Sequence, residues 1–320
     1  MFRMLCERLS LDPRRTSFRD LSDGPYRAAV RDIEFVTATD GNHGRGVAWA
    51  GGLFGCPVHV YLPAGSAESR VRAIREAGPA EAVVTDRNYD GCVLLAKEQS
   101  EKNGWLLIQD TSWEGYETVP SWITRGYLTM ARELFRQAEA AGRRPTHLFL
   151  QAGVGSMAAG VLGYAVSRFG KDRPITTIVE PTVSDCLYRS ARAGDGNAHS
   201  VPGNPVTIMA GLNCGTPCGI AWPVLRDWAD FSVSCPDCAA AHGMRLYAGA
   251  EAGDPLIVSG ESGASTLGAA ALILARPELK DARRTMGFSP DSVLLFISTE
   301  GDTDPENYRN IVENGAYPLP

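Results

Sequence analysis

Apolar and polar positions along this chain fall into short blocks whose spacing switches between the strand and helix periods. Phe35-Val36, Val58-His59-Val60-Tyr61-Leu62-Pro63, Ala82-Val83-Val84-Thr85 and Trp105-Leu106-Leu107-Ile108-Gln109 read as strands. Between them, Ser66 to Ala77 reads as a polar-faced helix opening at a capping Ser, and Tyr89 to Asn103 as another helix. Gly126 to Ala141 predicts a long helix, which Gly142-Arg143-Arg144-Pro145 ends before the strand pattern Thr146-His147-Leu148-Phe149-Leu150. Ile220 to Trp228 has helical character; Pro255 to Val258 and Val293 to Ile297 read as further strands. The Gly/Pro-rich stretch Gly194 to Pro205 reads as a surface loop or lid. Strand–helix alternation of this kind implies an α/β protein with open, mostly parallel sheets in three αβα layers. The expected division is a smaller domain over 34–137 and a larger one built from 1–33 and 138–320.

Chemistry gathers where strands end. Thr37-Ala38-Thr39-Asp40-Gly41-Asn42-His43-Gly44-Arg45-Gly46 puts a carboxylate, a carboxamide and an imidazole on a strand-to-helix turn. In open α/β sheets such turns face bound anions with helix N-termini. An ordinary turn with an Asp cap would read the same way. Gln151-Ala152-Gly153-Val154-Gly155-Ser156-Met157 follows the Thr146 strand and opens a small-residue helix, so backbone N–H groups and the Ser156 hydroxyl face a phosphate-sized site. It lacks the third glycine of a dinucleotide fingerprint and the Lys of a Walker loop. Val293-Leu294-Leu295-Phe296-Ile297 ends abruptly in Ser298-Thr299-Glu300-Gly301-Asp302, either a strand delivering polar groups to a site or a buried strand before a solvated turn.

Composition narrows the classes. At 320 residues the length suits two domains, and a formal charge of −6 without Lys/Arg runs argues against nucleic acid or anionic membrane as partner. No apolar stretch is long enough to span a bilayer, and the N-terminus lacks the apolar core of a signal peptide, so a cytoplasmic protein is expected. Of the 8 cysteines, Cys214-Gly215-Thr216-Pro217-Cys218 and Cys235-Pro236-Asp237-Cys238 approach zinc-site spacing. Metal binding there is not the expected use, and a regulatory Cys pair stays open. Cys6, Cys56, Cys92 and Cys186 read as small buried residues.

Taken together, the three polar loops resemble the fold type II pyridoxal-phosphate enzymes of the tryptophan synthase β-subunit type. The resemblance narrows to the 2,3-diaminopropionate ammonia-lyase family on Ala38 to Gly46, Gln109-Asp110-Thr111-Ser112-Trp113-Glu114-Gly115-Tyr116, Ile208-Met209-Ala210-Gly211-Leu212, Ser259-Gly260-Glu261-Ser262-Gly263-Ala264 and Thr299 to Asp304. It runs from about Glu34 to the C-terminus. It implies a two-domain carbon–nitrogen lyase using pyridoxal 5'-phosphate on a small amino-acid substrate, working as a homodimer. The reaction implied is α,β-elimination of 2,3-diaminopropionate through α-proton removal and aminoacrylate, ending in pyruvate and two ammonia. Gly153, Val154, Gly155, Ser156 and Met157 would hold the phosphate, Asn42 the ring hydroxyl, and Thr299 the pyridine nitrogen. Asp40 would be the base that serves the D-isomer, Asp110 the partner of the distal ammonium, and His43 a structural hydrogen-bonder. Glu261 would lie near the cofactor ring. Members of the family carry a Schiff-base lysine upstream of the Asp40 turn, whereas the lysines here are Lys97, Lys102, Lys171 and Lys280. A chain that starts late is the simplest expectation. The alternatives are a serine/threonine dehydratase-like enzyme, against which Asp40 counts because those enzymes carry Ser there, and a catalytically silent member of the fold.

Overall fold

The computed structural model describes every residue except 40, 204 and 250–252. The chain forms two compact units, Met1–Gln109 and Asp110–Pro320. The first unit begins with helices α1 (Phe2–Arg8), α2 (Phe18–Ser22) and α3 (Arg27–Arg31). Then β1 (Phe35–Ala38), α4 (Asn42–Phe54), β2 (Val58–Leu62), α5 (Glu68–Ala77), β3 (Ala80–Val84), α6 (Tyr89–Asn103) and β4 (Leu106–Leu107) alternate. Its strands form one parallel sheet in the order β3-β2-β1-β4, with Phe35 opposite both Val58 and Leu106. Central β1 is buried at every position, as a parallel strand covered on both faces should be.

Two local expectations change for identifiable reasons. Ser66 does not cap α5; its hydroxyl closes a turn by donating to the Pro63 carbonyl at 2.8 Å, and the helix starts two residues later. The strand expected over Trp105–Gln109 shortens to Leu106–Leu107 because a side chain replaces its ladder. Gln109 Oε1 accepts the Ala38 N–H at 2.9 Å, the position that another strand residue would otherwise occupy.

The second unit contains α7 (Thr118–Ala140), β5 (His147–Gln151), α8 (Ser156–Phe169), β6 (Ile175–Pro181), α9 (Cys186–Ala193), α10 (Trp222–Trp228) and β7 (Phe231–Cys235). It ends with α11 (Asp237–Ala248), α12 (Glu261–Ala275), α13 (Lys280–Thr285), β8 (Leu294–Leu295) and α14 (Pro305–Val312). These strands form a second parallel sheet, β7-β6-β5-β8. Helix α7 starts well before Gly126, since Pro120 sits in its first turn, where the missing N–H has no partner to lose. Pro255 to Val258 is not a strand. Leu256 is 75% exposed, and the Ile257 N–H bonds to the Tyr247 carbonyl of α11 rather than to a neighbouring strand. Residues 1–33 pack beside α4 in the first unit, through α2 and α3, and 110–137 belong to the second, where α7 packs on α8. The units thus divide the chain differently from the boundaries expected above.

The second unit's core lies where Phe149 and Val179 of the sheet meet Ala239, Ala240, Ala269 and Ala270 of α11 and α12. Those helices touch backbone to backbone, because a Cβ on Gly268 would overlap the Ala239 carbonyl and one on Gly243 the Ala264 carbonyl. Gly268→Ala is therefore expected to destabilise by about 1–3 kcal/mol, since rigid backbone faces the added methyl. Gly163→Ala on α8, where a Cβ meets nothing within 4 Å, should instead stabilise by roughly 0.5–1 kcal/mol. Urea midpoints of the two variants check this; shifts of the same sign would contradict the packing described.

Candidate active site

In the first unit the candidate residues gather at the C-terminal end of β1. Thr39 Oγ1 accepts the N–H groups of Gly41 and Gly44, each at 2.9 Å, and so caps the start of α4. Gln109 braces the end of the same strand, with Thr37 Oγ1 at 3.1 Å and its own amide donating to Tyr89 Oη at 3.0 Å. The His43 ring bonds to the Ile108 carbonyl at 2.9 Å, a structural role. Asn42 opens α4 and is exposed. Asp40 lies outside the described residues.

In the second unit the Gly153–Met157 loop joins β5 to α8. Gly155 sits at φ +97°, in the left-handed region, and a Cβ there would come 2.8 Å from Leu225 Cδ1. Gly153 is as confined, since a Cβ would lie 3.0 Å from Cys214 Sγ and 3.2 Å from the Gly211 oxygen. The Cys218 N–H pins the Val154 carbonyl at 2.8 Å, and the first intrahelical bond of α8 runs from Ala159 to Gly155. The amides of the first turn therefore point out of the helix, as donors for an anion. The Ser156 hydroxyl does not join them. It donates to the Asp110 carbonyl at 2.6 Å, leaving only the Ser156 amide for a ligand and tying Asp110 to the start of α8. Half-buried Asp110 also acts on Tyr127, whose phenol is pushed up to about 12 by burial and then by this carboxylate.

Thr299 enters the same loop cluster through Gln151. Gln151 Nε2 donates to the Ile297 carbonyl at 2.7 Å, which fixes which end of the amide is nitrogen, and to Thr299 Oγ1 at 2.9 Å. The exposed Thr299 hydroxyl thus accepts from protein and keeps its own proton to donate. Beside the loop, Ser262 Oγ is buried without a hydrogen-bond partner among the described residues, and a Cβ on Gly211 would lie 3.2 Å from it. The Ser262 N–H is held by Glu300 at 2.8 Å, and buried Glu261 accepts from Asn307 at 2.6 Å. Sequence reasoning did not single out Gln151 or Ser262, although a Gln following the apolar run Leu148-Phe149-Leu150 was a visible signal for the first.

The cysteines do not converge. Cys214 and Cys218 border the loop, with Cys218 Sγ 3.2 Å from Ser112 Oγ, whereas Cys235 ends β7 and Cys238 lies in α11. Among the described residues no cluster of His, Cys, Asp and Glu could hold a metal, and no helix is long and apolar enough to cross a membrane.

Glu180, also missed from sequence, is fully buried and accepts the Leu187 and Tyr188 N–H groups at 2.8 and 2.6 Å, anchoring the start of α9. Burial pushes its carboxyl from the ordinary 4.5 up to about 8, against those two donors. The folded state then holds this proton more tightly than the unfolded chain does. Its stabilising contribution is complete below pH 4.5 and is lost as pH rises through about 8. Glu180→Gln should flatten the fall in melting temperature across that window; an unchanged slope would place the titration elsewhere.

A model of pyridoxal-phosphate dependent enzymes matches residues 20–291. The chain belongs to that family. Diaminopropionate ammonia-lyase of Escherichia coli K12 is 45% identical over 314 residues, spanning 98% of this chain and 77% of that protein. The crystal structure of the E. coli enzyme in complex with D-serine superposes with a TM-score of 0.89 at 42% identity, covering 98% of this chain and 77% of the other. Maize serine racemase shares the fold alone, at 21% identity and a TM-score of 0.67, over 91% of this chain and 78% of that one. The second unit's loops fit the cofactor of the family. They offer outward amides, a glycine pair that leaves no room for side chains, the orphaned Ser262 hydroxyl, and a neutral donor at Thr299. What they do not offer is a lysine, since Lys97, Lys102, Lys171 and Lys280 are all exposed, on α6, beyond the end of α8, and on α13.

Proposed function

We propose that this protein removes both amino groups of 2,3-diaminopropionate, releasing pyruvate and two ammonia. The observation that carries the reading is 45% identity along nearly the whole chain to enzymes of that activity, in the family to which the loops fit. The E. coli enzyme has also been captured with a reaction intermediate. Pyridoxal phosphate, when bound, supplies the ring that accepts the electron pair left at Cα as its proton departs.

The chain's own residues do the rest. The Gly153, Val154, Gly155, Ser156 and Met157 amides hold the phosphate dianion, and Asn42 donates to the ring hydroxyl. Thr299 gives the ring nitrogen a neutral hydrogen bond. Asp40 takes the Cα proton of the D-isomer. Asp110 pairs with the distal ammonium and keeps it protonated, so that the Cβ–N bond breaks with its electron pair going to nitrogen and ammonia leaves neutral. Water then hydrolyses the released aminoacrylate to pyruvate and the second ammonia. This reading takes the protein to be a cytoplasmic homodimer acting on a small amino acid, with no nucleic-acid or membrane partner. Its charge of −6 supports the last point.

The test is pyruvate release from 2,3-diaminopropionate, serine and threonine by protein saturated with pyridoxal phosphate. A site that pairs a second ammonium should favour diaminopropionate by about 100-fold or more, because a buried partner left unpaired costs more than a lost methylene. Equal rates on serine would remove the substrate and leave the fold and cofactor standing.

A further inference from the structure

Away from the loops described above, the second unit has a basic cavity at the other end of its sheet. Residues Pro145, just before β5, and Pro174, just before β6, join Phe135 and Phe169 as the floor of a cavity of about 470 Å³. Arg143, Arg144 and Arg168 line it, with Glu139 and Asp172. A second cavity of about 390 Å³ shares Phe135, Glu139 and Arg168 and adds Arg132, Arg136 and Tyr164. Arg132 and Arg136 are one helical turn apart on α7, with Phe135 between them, so they project to one side.

The rings form one cluster with Phe135 buried at its centre. Phe135 meets Phe169 at 5.0 Å between centroids and Tyr164 at 5.9 Å, and the Arg168 guanidinium lies 5.8 Å above Phe169. Arg168 pairs with Glu139 at 3.5 Å. Among the described residues, the side chains of Arg132, Arg136, Arg143 and Arg144 take part in no ion pair or hydrogen bond. Five guanidiniums thus face two carboxylates, in a chain whose overall charge is −6. Concentrating like charge around apolar rings is unfavourable by itself and becomes favourable when a polyanion neutralises it.

We propose that this paired cavity binds a nucleoside polyphosphate, the base resting on the half-buried Phe169 and Tyr164 rings, which buried Phe135 backs, and the phosphates meeting the arginines. Guanidinium forks match phosphate oxygens bidentately, and planar bases stack on aromatic faces. The larger cavity alone is within the size range of small-ligand sites. It is separate from the cofactor's phosphate cradle. Helix α8 starts at the cradle with Ser156 and ends at the cavity with Phe169, and its 14 residues span about 21 Å at 1.5 Å each. Strand β5 joins the same two places along the sheet. A ligand at one end of α8 therefore bears on the element that positions the other.

Calorimetric titration of ATP into protein saturated with pyridoxal phosphate, which occupies the cradle, tests the proposal beside titrations of sodium tripolyphosphate and adenosine. ATP should bind about tenfold more tightly than tripolyphosphate, the margin expected from stacking one base. Adenosine should bind only weakly. The double variant Arg143→Glu/Arg168→Glu should weaken ATP by about 100-fold, reversing two exposed charges without disturbing the core. Arg136→Ala, also on the surface, should weaken it by about tenfold. No binding of ATP, binding indifferent to the charge reversals, or tripolyphosphate as tight as ATP would each overturn the assignment.

Discussion

Gly155→Val is expected to weaken pyridoxal phosphate binding by about 100-fold or more, the largest effect of any single change in the loops. Two costs combine at this position. A β-branched residue at φ +97° leaves the region open to L-residues, and its Cβ would sit 2.8 Å from Leu225 Cδ1 and 3.3 Å from Leu187 Cδ1. Neither neighbour is free to move, because both leucines are buried in the core beneath the loop. The backbone must shift, and with it the amides at the start of α8. Each hydrogen bond to a charged phosphate is worth about 1.5–3 kcal/mol, so losing two accounts for the stated loss. Gly142→Val is the control, since Gly142 also has positive φ, at +64°, but faces open space. Cofactor titration followed by tryptophan fluorescence should separate the two variants. Similar affinities in both would mean that the Gly155 loop is not the phosphate cradle.

What could be read from the sequence was whatever the chain settles locally. β1, β2, β5 and helix α6 stand close to where hydrophobic spacing put them, because a buried parallel strand and an amphipathic helix leave direct marks on composition. The glycine loop was legible for the same reason, as two glycines after an apolar strand announce a backbone that needs φ > 0 or a close approach. What escaped depends on partners distant in sequence. Gln109 ends the β4 ladder only because Ala38, far back in the chain, presents its N–H there. The Ser156 hydroxyl looked like a phosphate donor until Asp110 claimed it. Pro255 to Val258 has strand composition, but composition cannot say whether a sheet edge is within reach. Gln151 and Thr299 meet only because β8 lies beside β5, a pairing that spans half the chain.

Borohydride reduction of these 320 residues, saturated with pyridoxal phosphate, is expected to fix no cofactor at the cradle. The reason lies in where the lysines stand. Lys97 and Lys102 project from α6 in the first unit, exposed to solvent. Lys171 follows α8 at the end away from the cradle, about 21 Å along the helix axis, and Lys280 opens α13 with an exposed side chain. None of the four is buried, so none stands in an enclosed site beside the cradle. Any label at these positions should therefore rise in proportion to free cofactor, as random surface modification does, and spread over several peptides. Binding itself, on the proposed reading, should persist through the Gly153–Met157 amides and Thr299, and should be reversed by dialysis. Peptide mapping after reduction reads both outcomes without depending on turnover. One lysine labelled stoichiometrically at low cofactor concentration would show that the chain brings an amine to the cradle by a movement absent from this structure, and the non-covalent reading would have to be given up.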